Sequence, residues 1–331
     1  MKYRRLLPIL LLLALLPGCA LAPARTARER SIFAMDTVMD LRVYARDDTM
    51  LDALNAELNR LDRLLSATNP ESALAALNRT GRSADAELAE LAGRAAEISA
   101  RTGGSLDICL YAASCAWGFP TDAFRVPDAA ELDALMPRSG MDKLTRAGSE
   151  LTLSDGAQMD FGAVAKGWAA DLCRQKLETA GVSGILSLGG NIQTVGAKPD
   201  GSDWIVGVQD PEDPSRNRLT LRLKGSKAVV NSGDYQRYFE RDGVRYCHIL
   251  DPETLRPVQN GLRAVTVVAD SGLLADGLST ALFVMGKEAG IAHWRQSNDF
   301  EAIWIGADGS VAVTEGLASA VSDQTVEVIR R

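Results

Sequence analysis

The chain has 331 residues, 46% of them hydrophobic, and 43 acidic against 36 basic side chains leave a formal charge of −7. That length supports one large core or two. The acidity excludes binding of nucleic acid or anionic lipid through a general positive field, so a polyanionic ligand would need local help from a metal ion or from helix N-termini.

In chain order, Lys2, Arg4 and Arg5 precede an apolar run from Leu6 to Leu16, followed by Pro17, Gly18 and Cys19. This is the pattern of a secretory signal, and the run is too short to span a bilayer comfortably. The stretch "LPGC" resembles the lipobox of bacterial lipoproteins, in which the cysteine becomes the lipidated first residue. The reading assigns residues 1–18 to a lipoprotein signal peptide, 19–30 to a polar tether and 31–331 to the folded domain. It places the mature chain on the extracytoplasmic face of the bacterial cell membrane, lipid-anchored through Cys19. Four further cysteines, Cys109, Cys115, Cys173 and Cys247, lack zinc-finger spacing; Cys109 and Cys115 are either a bridge or free thiols.

Residues 31–45 alternate as a strand, and the next segment, "MLDALNAELNRLDRLLSAT", is a periodic amphipathic helix. A second helix, "AELAELAGRAAEISARTGG", closes at Gly103 and Gly104. A hairpin in "KLTRAGSELTLSDG", a helix ending at Gly181 and a buried strand "GILSL" follow. The second half reads as antiparallel strands, with Asp242–Gly243 as a tight turn. A helix over 273–286, a short helix and a last hairpin complete the chain. Antiparallel strands with helix pairs between them indicate an α+β fold. No Gly-x-Gly-x-x-Gly or P-loop pattern supports a nucleotide site of those kinds.

Asp276 and Thr280 stack one turn apart on a helix that is apolar nearly all round. A carboxylate in that setting needs a partner. It caps the helix with Ser279, meets a buried basic residue, or shares a hard cation with Thr280. His248, at a strand end beside a turn, is the best general base or acid in the chain, whereas His293 reads as structural. Asp160 and Gly162 precede a helix carrying Lys166, where free N–H groups favour an anion. Trp117, on a Gly-Phe-Pro turn, is either core or a stacking surface for a flat ring.

Seven stretches together, "AMDTVMDL", "GGSLDICLYAASCAWGF", "MDFGAVAKGWAAD", "LSLGGNIQTVG", "SGDYQRYF", "HILDP" and "LADGLSTALFVMG", resemble the ApbE family of FAD:protein FMN transferases in order and spacing. The resemblance runs from about residue 31 to the C-terminus. It implies a T-fold-like α+β architecture with antiparallel sheets flanked by helices. It also implies a cleft binding FAD with Mg²⁺, and transfer of FMN to a serine or threonine of a partner flavoprotein with release of AMP. Carried over by position, the metal ligands would be Asp276, Thr280 and the backbone carbonyl of Ala163. Flavin and adenosine contacts would fall at Met35, Thr68, Ala116, Trp117, Gly118, Asp160, Lys166 and Leu250, and His248 would help deprotonate the acceptor hydroxyl. Two positions depart from the family pattern: Thr68 stands where an aromatic residue is common, and Leu255 where glycine is usual. Two other functions stay open: hydrolysis of FAD to FMN and AMP, and a non-catalytic flavin-binding lipoprotein. His248 with an intact metal set favours the enzymes.

Overall fold

The computed structural model describes residues 25–323 and 325–331. The signal peptide of residues 1–18 and Cys19 lie outside them. Nine strands form one sheet in chain order: β1 (Thr26–Ala34), β2 (Thr37–Ala45), β3 (Ser183–Leu188), β4 (Asn191–Val195), β5 (Lys227–Gly233), β6 (Leu262–Ala269), β7 (Phe300–Gly306), β8 (Val311–Thr314) and β9 (Glu327–Ile329). Neighbours are antiparallel except β8 and β9, which run parallel.

Six helices lie between β2 and β3: α1 (Thr49–Leu65), α2 (Ala73–Thr80), α3 (Ala86–Arg101), α4 (Tyr111–Trp117), α5 (Ala129–Leu135) and α6 (Ala165–Thr179). The seventh, α7 (Gly272–Arg295), joins β6 to β7 and breaks at Gly286, where φ is 80°. The Asn260 side-chain amide donates to the Phe283 carbonyl at 2.6 Å, so the break leaves that group satisfied. No helix among the described residues is long and apolar enough to cross a membrane.

The period-two alternation of the strands gives the sheet two apolar faces. Val230, Val265 and Val267 face the helices in the main core. Val229, Ala264 and Val268 face a separate hairpin, Trp204–Gln209 with Asn217–Leu223, which covers the other side. The strand β6 is therefore covered on both faces, and its sequence is a near-continuous apolar run.

Two expectations change. Residues 31–45 are not one strand: β1 and β2 fold back at Met35 and Asp36, which both take the left-handed conformation (φ 52° and 57°). A two-residue turn of this kind normally carries Gly or Asn, so the chain gave no punctuation there. The sheet also begins at Thr26, so residues 26–30, read as tether, pair with β2. Cys109 is buried, Cys115 is exposed, and both thiols are free.

Candidate active site

Helices α6 and α7 cross at a pair of glycines. A Cβ on Gly167 would strike the Gly272 carbonyl and the Asp276 Cβ, and one on Gly272 would lie 2.6 Å from the Gly167 carbonyl oxygen. Only residues without a Cβ let the two backbones come this close. One turn along α6, Asp171 accepts from the Ser271 hydroxyl at 2.7 Å and from the N–H groups of Gly272 and Leu273 at 2.8 and 3.0 Å. It thereby satisfies free donors at the N-terminus of α7 and clamps the two helices together.

This crossing sets Asp276 against the start of α6. Its Oδ2 accepts the Gly167 N–H at 2.8 Å. In a regular helix that N–H would go four residues back, to Ala163. Among the described residues no backbone N–H donates to the Ala163 carbonyl, which is left free at the cavity edge. Asp276 is 3% exposed. Burial raises its pKa above the usual carboxylate range, opposed by the field of Lys166, the Asn191 amide and the Gly167 N–H. Lys166 gives its own hydrogen bond to the Gly162 carbonyl, at 3.3 Å.

Asp276 is not a helix cap, because Ser271 holds that position. Asp276, Thr280 and Ala163 line one cavity, and between them they carry a carboxylate, a hydroxyl and a backbone carbonyl without a backbone N–H partner among the described residues. Three hard oxygens of this kind suit Mg²⁺ better than a soft metal. Among the described residues no cluster of three or more His, Cys, Asp or Glu offers an alternative metal site.

A second wall of the cavity carries His248, just after the hairpin Tyr238–Arg241 with Val244–Cys247. The turn of that hairpin is Asp242–Gly243, both with positive φ, as its sequence indicates. The His248 N–H donates to the Arg237 carbonyl at 3.0 Å, and Nδ1 lies 3.2 Å from the same oxygen. A carbonyl can only accept, so Nδ1 carries the proton and Nε2 keeps a free lone pair. Burial lowers the His248 pKa to about 4; the hydrogen bond to Arg237 opposes this, while the fields of Lys166 and Arg237 add to it. The imidazole is neutral at pH 7.

Met35, Thr68, Asp160, Ala163, Lys166, His248, Leu250, Asp276 and Thr280 all line this cavity. Ala116, Trp117 and Gly118 do not. The Trp117 indole is fully buried and donates to the Leu255 carbonyl at 2.8 Å. It packs on Tyr246, with 5.4 Å between ring centroids, and so supports the wall from behind instead of stacking on a ligand. At the left-handed Gly118 the chain turns, and it is Phe119 and Pro120 that reach the cavity. The expected anion site before α6 also changes: the Gly162 N–H is taken by Asp160 at 2.7 Å, and that of Gly167 by Asp276. Burial raises the pKa of Asp160 as well.

Sequence reasoning missed Asp107, Asn191, Ser232 and Arg237, which line the same cavity. Asp107 accepts the N–H groups of Cys109 and Met141 at 2.7 and 3.1 Å, and burial pushes its pKa up to about 6. A lone carboxylate within the apolar "LDICL" was the signal for it.

The profile of the ApbE family matches residues 35–304. A Treponema pallidum protein described as an FAD:protein FMN transferase is 32% identical over 318 residues, which is 88% of each chain. A Vibrio cholerae protein of the same description is 37% identical over 202 residues, 60% of each chain. The crystal structure of the ApbE protein from Thermotoga maritima superposes with a TM-score of 0.84, at 29% identity, covering 89% of this chain and 99% of that one.

The chain belongs to the ApbE family.

Its two departures from the ApbE pattern have different consequences. Leu255, where glycine is usual, keeps the left-handed backbone that glycine would favour, with φ 56°. Its side chain is fully buried among Leu110, Trp117 and Leu250. Burial of the leucine offsets a left-handed strain of roughly 1–2 kcal/mol. Thr68 is exposed at the cavity rim with its hydroxyl 3.2 Å from that of Ser66, and it offers no ring. Tyr111, which donates to the Ala67 carbonyl at 3.3 Å, is an aromatic residue lining the same cavity.

Proposed function

We propose that this chain moves FMN from FAD onto a serine or threonine hydroxyl of a partner flavoprotein and releases AMP, with Mg²⁺ held by Asp276, Thr280 and the Ala163 carbonyl. That it is a flavin transferase follows from its family and from the description its relatives carry. The finer reading is supported by one observation above all: a corner of hard oxygens and a histidine with a free Nε2 border the same cavity.

Mg²⁺ in that corner would neutralise charge on the FAD pyrophosphate as AMP departs. Lys166 adds a second positive charge at the same edge. An alcohol is a weak nucleophile and needs a base. Nε2 of His248 takes the proton of the acceptor hydroxyl as its oxygen bonds to the FMN phosphorus. The bond from that phosphorus to the bridging oxygen breaks, and its electron pair leaves with AMP. Negative charge on the bound pyrophosphate favours the imidazolium, so the proton affinity of His248 rises once FAD is in place.

The test is to incubate the protein with FAD, Mg²⁺ and a candidate flavoprotein subunit, and to weigh the subunit afterwards. An added FMN mass with stoichiometric AMP is expected. FMN and AMP without an adduct would make the protein a hydrolase, and unchanged FAD would make it a binder.

The reading also places the mature chain at the extracytoplasmic membrane face, tethered by lipid on Cys19. Its support is the lipobox-like stretch and the start of the sheet at Thr26, which leaves residues 20–25 as the connection. Six residues reach roughly 20 Å at full extension. Replacing Cys19 by serine should release the protein from the membrane fraction or leave it uncleaved. A normally cleaved chain that stays in the membrane fraction would contradict lipidation.

A further inference from the structure

Behind Thr280 lies a row of hydroxyl groups with no part in the chemistry above. Ser232, near the end of β5, places its Oγ 2.8 Å from Oγ of Ser279 and 3.3 Å from Oγ1 of Thr280. Ser279 Oγ lies 2.9 Å from the carbonyl oxygen of Asp276, three residues back on α7. Both serines are buried, Ser279 completely.

The direction of these hydrogen bonds is forced. Each hydroxyl has one proton to give, and a carbonyl can only accept. Ser279 therefore donates to the Asp276 carbonyl. Its oxygen is left to accept, so Ser232 donates to Ser279. With the Ser232 proton committed, its contact with Thr280 has Thr280 as the donor. The Thr280 proton is thereby drawn away toward β5, and the remaining lone pair is left for the cavity that Thr280 lines.

We propose that Ser232 and Ser279 are positioning residues that hold the Thr280 hydroxyl as a pure acceptor toward the cavity, the only state in which it can ligate a hard cation. The inference rests on the Mg²⁺ reading of the corner. A hydroxyl free to rotate would spend part of its time with its proton facing the cation, and would have to be reoriented on binding. Outer partners that orient a metal ligand typically contribute about 10- to 100-fold in metal affinity. Ser279 does not border the cavity, so it can affect the cation only through its neighbours.

The experiment is a titration of the metal-free protein with Mn²⁺ alone, following the free ion by electron paramagnetic resonance, so no turnover is involved. Ser232→Ala and Ser279→Ala should each weaken Mn²⁺ binding by about 10-fold or more. In Ser279→Ala, whose side chain does not border the cavity, FAD affinity without metal, read by flavin fluorescence, should be unchanged, which a general loss of structure would not allow. If thermal melting shows that Ser279→Ala does not fold, Ser279→Cys takes its place, with the same direction expected because a thiol is a weaker donor and acceptor. A loss in Ser232→Ala with none at position 279 would make Ser232 a direct ligand and overturn the relay, as would unchanged affinity in both. Asp276→Ala separates the two levels. If it too keeps full Mn²⁺ affinity, the metal reading fails; if it loses binding while the serine variants do not, only the relay fails.

Discussion

The two walls of the cavity are built on opposite plans. The cation corner is the crossing of two helices, α6 and α7, whose backbones touch at Gly167 and Gly272 inside the main core. The histidine wall is a short hairpin and a loop held together by rings: Phe239 lies 5.1 Å from Tyr246 and 5.3 Å from Phe124, centroid to centroid. Phe124 is 37% exposed. Steric closeness fixes the first wall, and contacts between rings near solvent fix the second. Segments with fewer buried contacts open at lower free energy. The residues assigned to the cation and the pyrophosphate therefore sit where the fold yields least. On the proposed reading, His248 would act as base on the wall nearer solvent, where a protein acceptor would enter.

The comparison can be broken most severely at the corner. Asp276→Ala should abolish Mg²⁺-dependent turnover while circular dichroism still reports the native fold, because the helices are clamped elsewhere, through Asp171. Chelation of the wild-type protein should have the same effect on turnover. Retention of Mg²⁺-dependent activity in this variant would remove the cation from the account.

A smaller effect is expected from Gly167→Leu, which forces α6 and α7 apart. Overpacking of this kind costs about 1–3 kcal/mol, read as a lowered thermal midpoint. Mg²⁺ affinity should fall with it, since Asp276 loses the Gly167 N–H. An unaltered midpoint and unaltered metal affinity would mean that the crossing does not set the corner.

The mildest lever is pH, and it acts on the histidine wall. His248 has its pKa lowered to about 4, and a base works only when unprotonated. The kcat/KM profile, which reports the free enzyme, should therefore keep its acid limb well below pH 6.5, the ordinary histidine value, with activity lost as pH falls through about 4. An acid limb at or above 6.5 would place the base in a more polar setting than the one described.

What the sequence made legible, and what it did not, follows the same division. Asp276, Thr280 and His248 stood out because a carboxylate and a hydroxyl are unusual in an apolar helix, and because the chain has only two histidines. Helices α1, α3 and α6 and the Asp242–Gly243 turn carried strong local signals, and the structure has them within a few residues of the expected bounds. The turn at Met35 and Asp36 had no such signal. Trp117 could be read as core or as a stacking surface, because a turn beside an indole says nothing about which way the ring packs, and only the family resemblance assigned it to the ligand. The Ser232–Ser279–Thr280 row and the bond from Gly167 to Asp276 join residues 47 and 109 positions apart, and only the crossing of elements brings them together.

The most direct test of the account is His248→Ala, because it asks whether the two walls have separate tasks. FAD affinity is read by fluorescence quenching in the presence of Mg²⁺, and FMN adduct formation by mass in single-turnover mixtures with an acceptor subunit. The expected result is unchanged binding with transfer slowed by about 10²- to 10⁴-fold, the range for losing a general base. Binding and transfer lost in parallel would make His248 a structural residue, and transfer at the wild-type rate would put the base elsewhere; either result would contradict the division of labour between the walls.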